Sequence, residues 1–200
     1  MAEVAAVLLA AGASTRFGPG NKLVARIRAR PLVRFVAETI AASGVAEIVV
    51  VTGADAELIE GALEGIPVRF VHNARWQNGM GSSIAAGVSA LSEEVQGVLI
   101  VPGDMPFVTG ALLESLISAF ERERGIIFPA QLTGEQRNPV LWPRQYFSLL
   151  TALRGQEGAK PLLKRYAGSC TAVTVADESV FADVDTVDDW AVARARAENC

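Results

Sequence analysis

The residues with the most chemical content open the chain. The apolar run Val4–Leu9 gives way to Ala10-Ala11-Gly12-Ala13-Ser14-Thr15-Arg16-Phe17-Gly18-Pro19-Gly20-Asn21-Lys22, a stretch of small residues carrying two cations. Small side chains let backbone N–H groups approach a bound polyanion, and Arg16 and Lys22 would neutralise its phosphates. The spacing is neither the G-x-x-x-x-G-K-[ST] of a P-loop nor the G-x-G-x-x-G of a dinucleotide fold, because Lys22 stands between Asn21 and Leu23. An ordinary Gly/Pro surface loop would share this composition.

Three further clusters carry chemistry. Val98-Leu99-Ile100-Val101-Pro102-Gly103-Asp104-Met105-Pro106 delivers an acid at the end of an apolar run. A carboxylate there suits magnesium, which is held by one or two carboxylates plus substrate phosphates. A turn Asp bonded to its own backbone is the plain alternative. In Phe181-Ala182-Asp183-Val184-Asp185-Thr186, Asp183 and Asp185 flank Val184 and share one face of an extended segment. Asp185 is the better ligand candidate because it precedes a helix cap, although helix capping alone would also account for the acids that follow. Asn78-Gly79-Met80-Gly81-Ser82-Ser83-Ile84 places glycines and hydroxyls at a helix start. That is either a base- or anion-binding turn or simply Ser82 or Ser83 as an N-cap. Arg137-Asn138-Pro139-Val140 is a weaker signal, a polar pair entering a strand.

The elements that must position these residues alternate along the chain. Strands are expected over Val4–Leu9, Glu47–Thr52, Val68–Val71, Gly97–Val101 and Gly125–Pro129, with amphipathic helices over Pro31–Ser43, Asp55–Leu63, Ser83–Leu91 and Gly110–Glu123. Pro31 suits a first helical position and Gly44 a C-terminal stop. This pattern predicts an α/β protein, a three-layer α/β/α sandwich with a parallel sheet and helices on both faces. Later the alternation loosens. A short strand Asn138–Trp142 is followed by helical stretches at 144–153 and 158–166, a strand Thr171–Val175, and a closing helix Thr186–Ala197 with Thr186 as N-cap and Asp188 and Asp189 in its first turn. The sheet is therefore expected to end mixed. In such sheets ligands bind at the carboxyl ends of the strands, where both the first loop and Asp104 should lie.

Bulk properties narrow the class. Two hundred residues with no linker or repeat suit a single domain, residues 1–200. A net charge of −4 and a pI near 5.1 argue against a nucleic-acid partner. No apolar stretch is long enough to span a bilayer and no signal peptide is visible, so no membrane association and a cytoplasmic location are expected. Cys170 reads as a core-facing strand residue and Cys200 as an exposed thiol. With His72 as the single histidine, any metal must be held by carboxylates, which favours magnesium.

On these residues the chain resembles a known family. Leu9-Ala10-Ala11-Gly12-Ala13-Ser14-Thr15-Arg16-Phe17-Gly18 with Lys22 is similar to the L-A-A-G-x-S-x-R-M-G-x-x-K signature of cytidylyltransferases with the nucleotide-diphospho-sugar transferase fold, with three residues in place of two between Gly18 and Lys22. Asn78–Ser83, Pro102–Pro106, Asn138-Pro139-Val140 and Gly158-Ala159-Lys160 match, in the same order, the molybdenum cofactor cytidylyltransferases. The first motif is shared by many nucleotidyltransferases; the ordered set is far more specific and runs nearly end to end. Phe17 departs from the usual Met, a change between two large apolar side chains.

The resemblance implies a Rossmann-like nucleotidyltransferase fold, CTP and molybdopterin as substrates, and Mg2+ as cofactor. It further implies that Leu9, Ala10, Ala11 and Gly12 meet the nucleotide, that Arg16 and Lys22 bind the triphosphate, and that Gly79, Ser82 and Ser83 lie near the base. Asp104 and Asp185 would hold the metal, with Lys22, Arg16 and Asp104 as the catalytic group and Asp183 as the substitute for Asp185. Ala11, where guanylyl-transferring relatives usually carry Gly, resembles the cytidine-selective branch. Possible partners include a recipient molybdoenzyme or its chaperone. Alternatives are guanylyl transfer to the same cofactor, cytidylyl transfer to a sugar or polyol phosphate, and, from another class, a non-catalytic cofactor chaperone.

Overall fold

The computed structural model describes residues 3–198. Its strands are Val4–Ala10 (β1), the two-residue pair Arg26–Ile27 (β2) and Arg30–Pro31 (β3), Ile48–Thr52 (β4), Arg69–His72 (β5), Gly97–Pro102 (β6), Ile126–Ala130 (β7), Val140–Pro143 (β8) and Cys170–Thr174 (β9). The helices are Leu32–Ala42 (α1), Ala56–Ala62 (α2), Met80–Ser89 (α3), Gly110–Glu123 (α4), Phe147–Thr151 (α5), Lys160–Arg165 (α6) and Val187–Glu198 (α7).

Seven strands form one sheet in the order β5-β4-β1-β6-β8-β7-β9. All neighbouring pairs are parallel except those involving β8, which runs antiparallel to both β6 and β7. The mixed α/β sheet expected from the sequence is therefore the one observed. Central strands are buried on both faces, so β1 and β4 are almost continuously apolar. Alternate residues serve opposite layers. Ala6, Leu8, Val50, Leu99 and Leu141 pack with α1, α2, α4 and α7, while Val7, Val49, Val51, Val98 and Val140 pack with α3 and α5. Among the described residues no helix is long and apolar enough to cross a membrane.

Several local expectations are corrected. The helix after the first loop begins at Leu32, because Pro31 has an extended ψ of 142° and closes the β2–β3 hairpin instead of opening α1. Helix α3 begins at Met80, three residues earlier than expected, so Ser82 and Ser83 lie inside its first turn and neither is the N-cap; Gly79 is. The stretch 144–153 holds a 3-10 turn over Arg144–Tyr146 before α5, and the stretch 158–166 contracts to α6. Gly44, with φ 78°, stands just past the end of α1 as its stop. Cys170 is half-buried at the start of β9, its Sγ 3.4 Å from the Tyr166 carbonyl, and burial pushes its thiol pKa up. Cys200 lies outside the described residues.

The chain runs from β1 outward through β4 to β5, then returns to lay β6 on the other side of β1. The connections leaving β1 and β6 therefore diverge, which makes the carboxyl ends of these two strands the topological switch point of the sheet.

Candidate active site

Backbone pairing brings Asp104 to the switch point. Beyond β6 the Gly103 N–H still donates to the Leu9 carbonyl at 3.0 Å, and a Cβ at 103 would stand 2.7 Å from that oxygen, so a side chain there would break the approach. The Asp104 carbonyl accepts from Val184 N at 2.9 Å, which stitches the 181–185 segment alongside. Val180, Phe181 and Val184 are buried and anchor that segment, so Asp183 and Asp185, flanking Val184, both face the cleft. Thr186 and Asp189 form a capping box at α7: Asp189 N donates to Thr186 Oγ1 at 3.2 Å, and the Asp189 carboxylate accepts from Thr186 N at 2.8 Å. Hydrogen bonds to that carboxylate from the Thr186 hydroxyl, at 2.7 Å, and then from the Thr186 N–H hold the Asp189 carboxyl below the usual carboxylate range.

Lys22 comes from the other side. It opens a 3-10 turn, Lys22–Val24, whose N-cap Asn21 accepts from Leu23 N, while Leu23 is buried beneath. The Lys22 ammonium lies 2.7 Å from Asp104 Oδ2 and 2.7 Å from Asp185 Oδ1. Arg16 Nη2 lies 2.9 Å from the other Asp185 oxygen. Burial alone would depress the Lys22 pKa, but Asp104 and Asp185 outweigh it and the net shift is upward. Asp183 is pushed up, first by burial and then by the negative charges of Asp104 and Asp185.

That shift has a testable sign. The folded protein holds the Asp183 proton more tightly than the unfolded chain, so its stability penalty develops as pH rises through the raised pKa and persists at neutrality. Asp183→Asn should stabilise the protein at neutral pH by up to about 1 kcal/mol, the size usual for half-exposed charges. Below the unfolded carboxylate pKa of about 3.9 the gain should vanish. Urea unfolding at the two pH values checks this, and an equal gain at both would refute a charge origin.

The donor chemistry fits a small, oxygen-preferring divalent cation. The Asp104 and Asp185 oxygens already share one cationic centre, and such ions need only one or two carboxylates when phosphate oxygens and water complete the shell. Among the described residues no group of three or more His, Cys, Asp or Glu side chains could hold a metal by itself.

These groups line one end of a cleft of about 890 Å³. Of the residues singled out from the sequence, Leu9, Ala11, Gly12, Arg16, Lys22, Gly79, Ser83, Asp104, Asp183 and Asp185 line it. Ala10 and Ser82 do not. Ala10 is buried in the core at the end of β1. The Ser82 hydroxyl lies 2.9 Å from the carbonyls of both Arg75 and Gly79 and accepts from Asn73 Nδ2. Residues the sequence reading overlooked include Trp76 and Gln156 on the cleft wall and the buried amides of Asn21 and Asn73. Solitary amides and aromatics have no spacing signature; the wall is recognisable only once α3 and the 154–160 segment are seen together.

Two glycines of the cleft differ sharply. Gly79 has φ 98°, and a Cβ there would sit 2.6 Å from the Gly155 carbonyl oxygen. Gly12 has no positive φ and nothing within 4 Å of the same position. Gly79→Ala should cost about 1–3 kcal/mol through strain and displacement of the facing segment. Gly12→Ala should change stability by less than about 0.5 kcal/mol. Thermal or urea unfolding of the two variants checks the contrast.

The doubly wound, mostly parallel sheet is shared with solved structures. Rv0371c from Mycobacterium tuberculosis H37Rv superposes with a TM-score of 0.85 at 22% identity over 97% of this chain and 98% of that one. A structure of that protein with manganese gives 0.78 at 23% identity, over 95% and 97% of the two chains. A nucleotidyl transferase from Methanothermobacter thermautotroptrophicus gives 0.84 at 22% identity over 98% of each chain. The family profile described as MobA-like NTP transferase domain matches residues 6–170, and the chain belongs to that family. Nicotine blue oxidoreductase of Paenarthrobacter nicotinovorans is 32% identical over 193 residues, 92% of this chain and 93% of its own.

Proposed function

We propose that this protein moves CMP from CTP onto the terminal phosphate of molybdopterin, releasing pyrophosphate and forming molybdopterin cytosine dinucleotide. The observation that carries the reading is the Lys22 ammonium held at 2.7 Å by both Asp104 and Asp185 beside the small-residue loop. The cytidine and molybdopterin specificity rests on the ordered motif resemblance and on Ala11.

An oxygen of the acceptor phosphate attacks the α-phosphorus of CTP, and the α–β bridging P–O bond breaks with its electron pair leaving on pyrophosphate. The acceptor is already an anion, so no protein nucleophile or histidine base is needed. The protein's part is placement and charge neutralisation. Backbone groups of Ala11 and Gly12 border the nucleotide, and Gly79 and Ser83 lie toward the base. Arg16 and Lys22 neutralise the triphosphate, Lys22 most strongly as charge builds on the leaving group. Asp104 and Asp185 would hold magnesium, which when bound supplies further neutralisation of the triphosphate. The open space at Gly12 suits a close backbone approach by the ligand, so Gly12→Ala should weaken CTP binding about tenfold or more while leaving stability nearly intact.

The likeness to nicotine blue oxidoreductase favours a second reading, oxidation–reduction of a ligand in the same cleft. One experiment separates the two. The protein is incubated with CTP, magnesium and molybdenum-loaded molybdopterin, and the products are isolated. Dinucleotide with stoichiometric pyrophosphate supports transfer. Pyrophosphate release with GTP in preference to CTP, or with a sugar phosphate in preference to molybdopterin, overturns the specificity. A redox change in the acceptor without pyrophosphate overturns the transfer itself.

A further inference from the structure

The Asn21 side chain is only 4% exposed, and each of its polar atoms is engaged. Its Oδ1 accepts from Ser14 Oγ at 3.1 Å and from Leu23 N at 3.0 Å. Its Nδ2 donates to the Gly12 carbonyl at 3.4 Å and to Asp55 Oδ2 at 3.2 Å. The Ser14 hydroxyl in turn accepts from Lys22 N at 3.1 Å. One buried amide thus joins both ends of the loop to the β4–α2 junction, immediately before the lysine that meets the two acids.

Asp55 is arranged in an unusual way for its position. It is the N-cap residue of α2, where an aspartate ordinarily accepts from a backbone N–H of the first turn. Its side chain makes no such cap, and its φ is 54°, a left-handed conformation that non-glycine residues seldom adopt. What the carboxylate does instead is reach Asn21. Ala54 N also donates to the Ala11 carbonyl at 3.1 Å, so the junction grips the start of the loop through its backbone as well. Strain of this kind persists only where surrounding contacts over-determine it, and it clusters where geometry matters for function.

We propose that Asn21 and Asp55 form a latch that closes the base of the 12–22 loop and so sets the position of Lys22. Both are positioning residues. The positioning role rests on the reading of the loop as a triphosphate site.

The polarity of the latch provides the test. Asn21→Asp keeps both acceptor contacts but sets two carboxylates against each other. The exchange variant, Asn21→Asp with Asp55→Asn, restores one donor and one acceptor in the opposite sense. Asp55 is exposed, so Asp55→Ala removes the contact without opening the core. Two quantities are read on the full chain: hydrogen–deuterium exchange of the 12–24 segment in the free protein, and binding of CTP with magnesium by calorimetry. Asn21→Asp and Asp55→Ala should each speed exchange of that segment about tenfold or more and weaken CTP binding about tenfold, as a loop freed from its partners exchanges by local opening. The exchange variant should recover both to within about threefold, a recovery that loss of packing alone would not produce. Unmoved exchange in the single variants, or an exchange variant as impaired as Asn21→Asp, overturns the latch even if CTP binds normally. A wild-type protein that binds no CTP overturns the functional reading and the positioning role with it.

Discussion

Lys22→Ala should lower the turnover number by roughly two orders of magnitude or more, the usual cost of removing one preorganised electrostatic stabiliser. The affinity for CTP should change much less, by about threefold or under, because the ammonium acts chiefly where charge accumulates on departing pyrophosphate. The structure adds a second consequence. Lys22 is the cation that Asp104 and Asp185 share, and its side chain is only 13% exposed. Its removal leaves Asp104 without its cation and Asp185 with Arg16 alone, which should cost about 1–3 kcal/mol of stability. Turnover must therefore be measured at a temperature where the variant is shown to be folded. A folded variant with near-normal turnover would remove Lys22 from the chemistry.

Asp104→Ala and Asp185→Ala should each abolish most activity, by roughly 10²-fold or more, and the double variant should be scarcely worse than either. Two groups that act through one shared cation fail as a unit. Both carboxylates stand 2.7 Å from the same nitrogen, so both are within reach of one ion. Kinetics of the two single variants and the double, with Mn2+ binding followed by electron paramagnetic resonance, provide the measurement. Multiplicative losses would mean that the acids act independently. Asp183→Ala should have a far smaller effect, because the structure brings Asp185 and not Asp183 to hydrogen-bond distance of Lys22.

The sheet could be read from the chain because its central strands are buried on both faces, so β1, β4 and β6 appear as unbroken apolar runs with loops at their carboxyl ends. The acids could be read for the same reason: an apolar Val184 between two aspartates fixes which way each points. The β2–β3 hairpin was invisible. Its turn residues, Arg28 and Ala29, have φ of 48° and 65°, a conformation that Asn-Gly or Asp-Gly would have advertised and Arg-Ala conceals. The start of α3 was misplaced because serines normally announce an N-cap, whereas here Asn73 binds both hydroxyls from outside the helix. Asn21 and Asp55 are 34 positions apart, and no local pattern connects them.

The site is also the last part of the protein able to assemble. Lys22 meets Asp104 across 82 positions, and Asp185 across 163. Doubling a separation adds only about 0.6 kcal/mol of closure entropy, so the distant acid is not thermodynamically expensive. It is late. As the chain leaves the ribosome, β1, β4 and β6 can pair and set Lys22 beside Asp104 well before the segment bearing Asp185 emerges. Arg16 gains its carboxylate only then. A protease that nicks the exposed 176–178 stretch would leave most of the sheet standing yet sever the covalent tether that delivers the second acid.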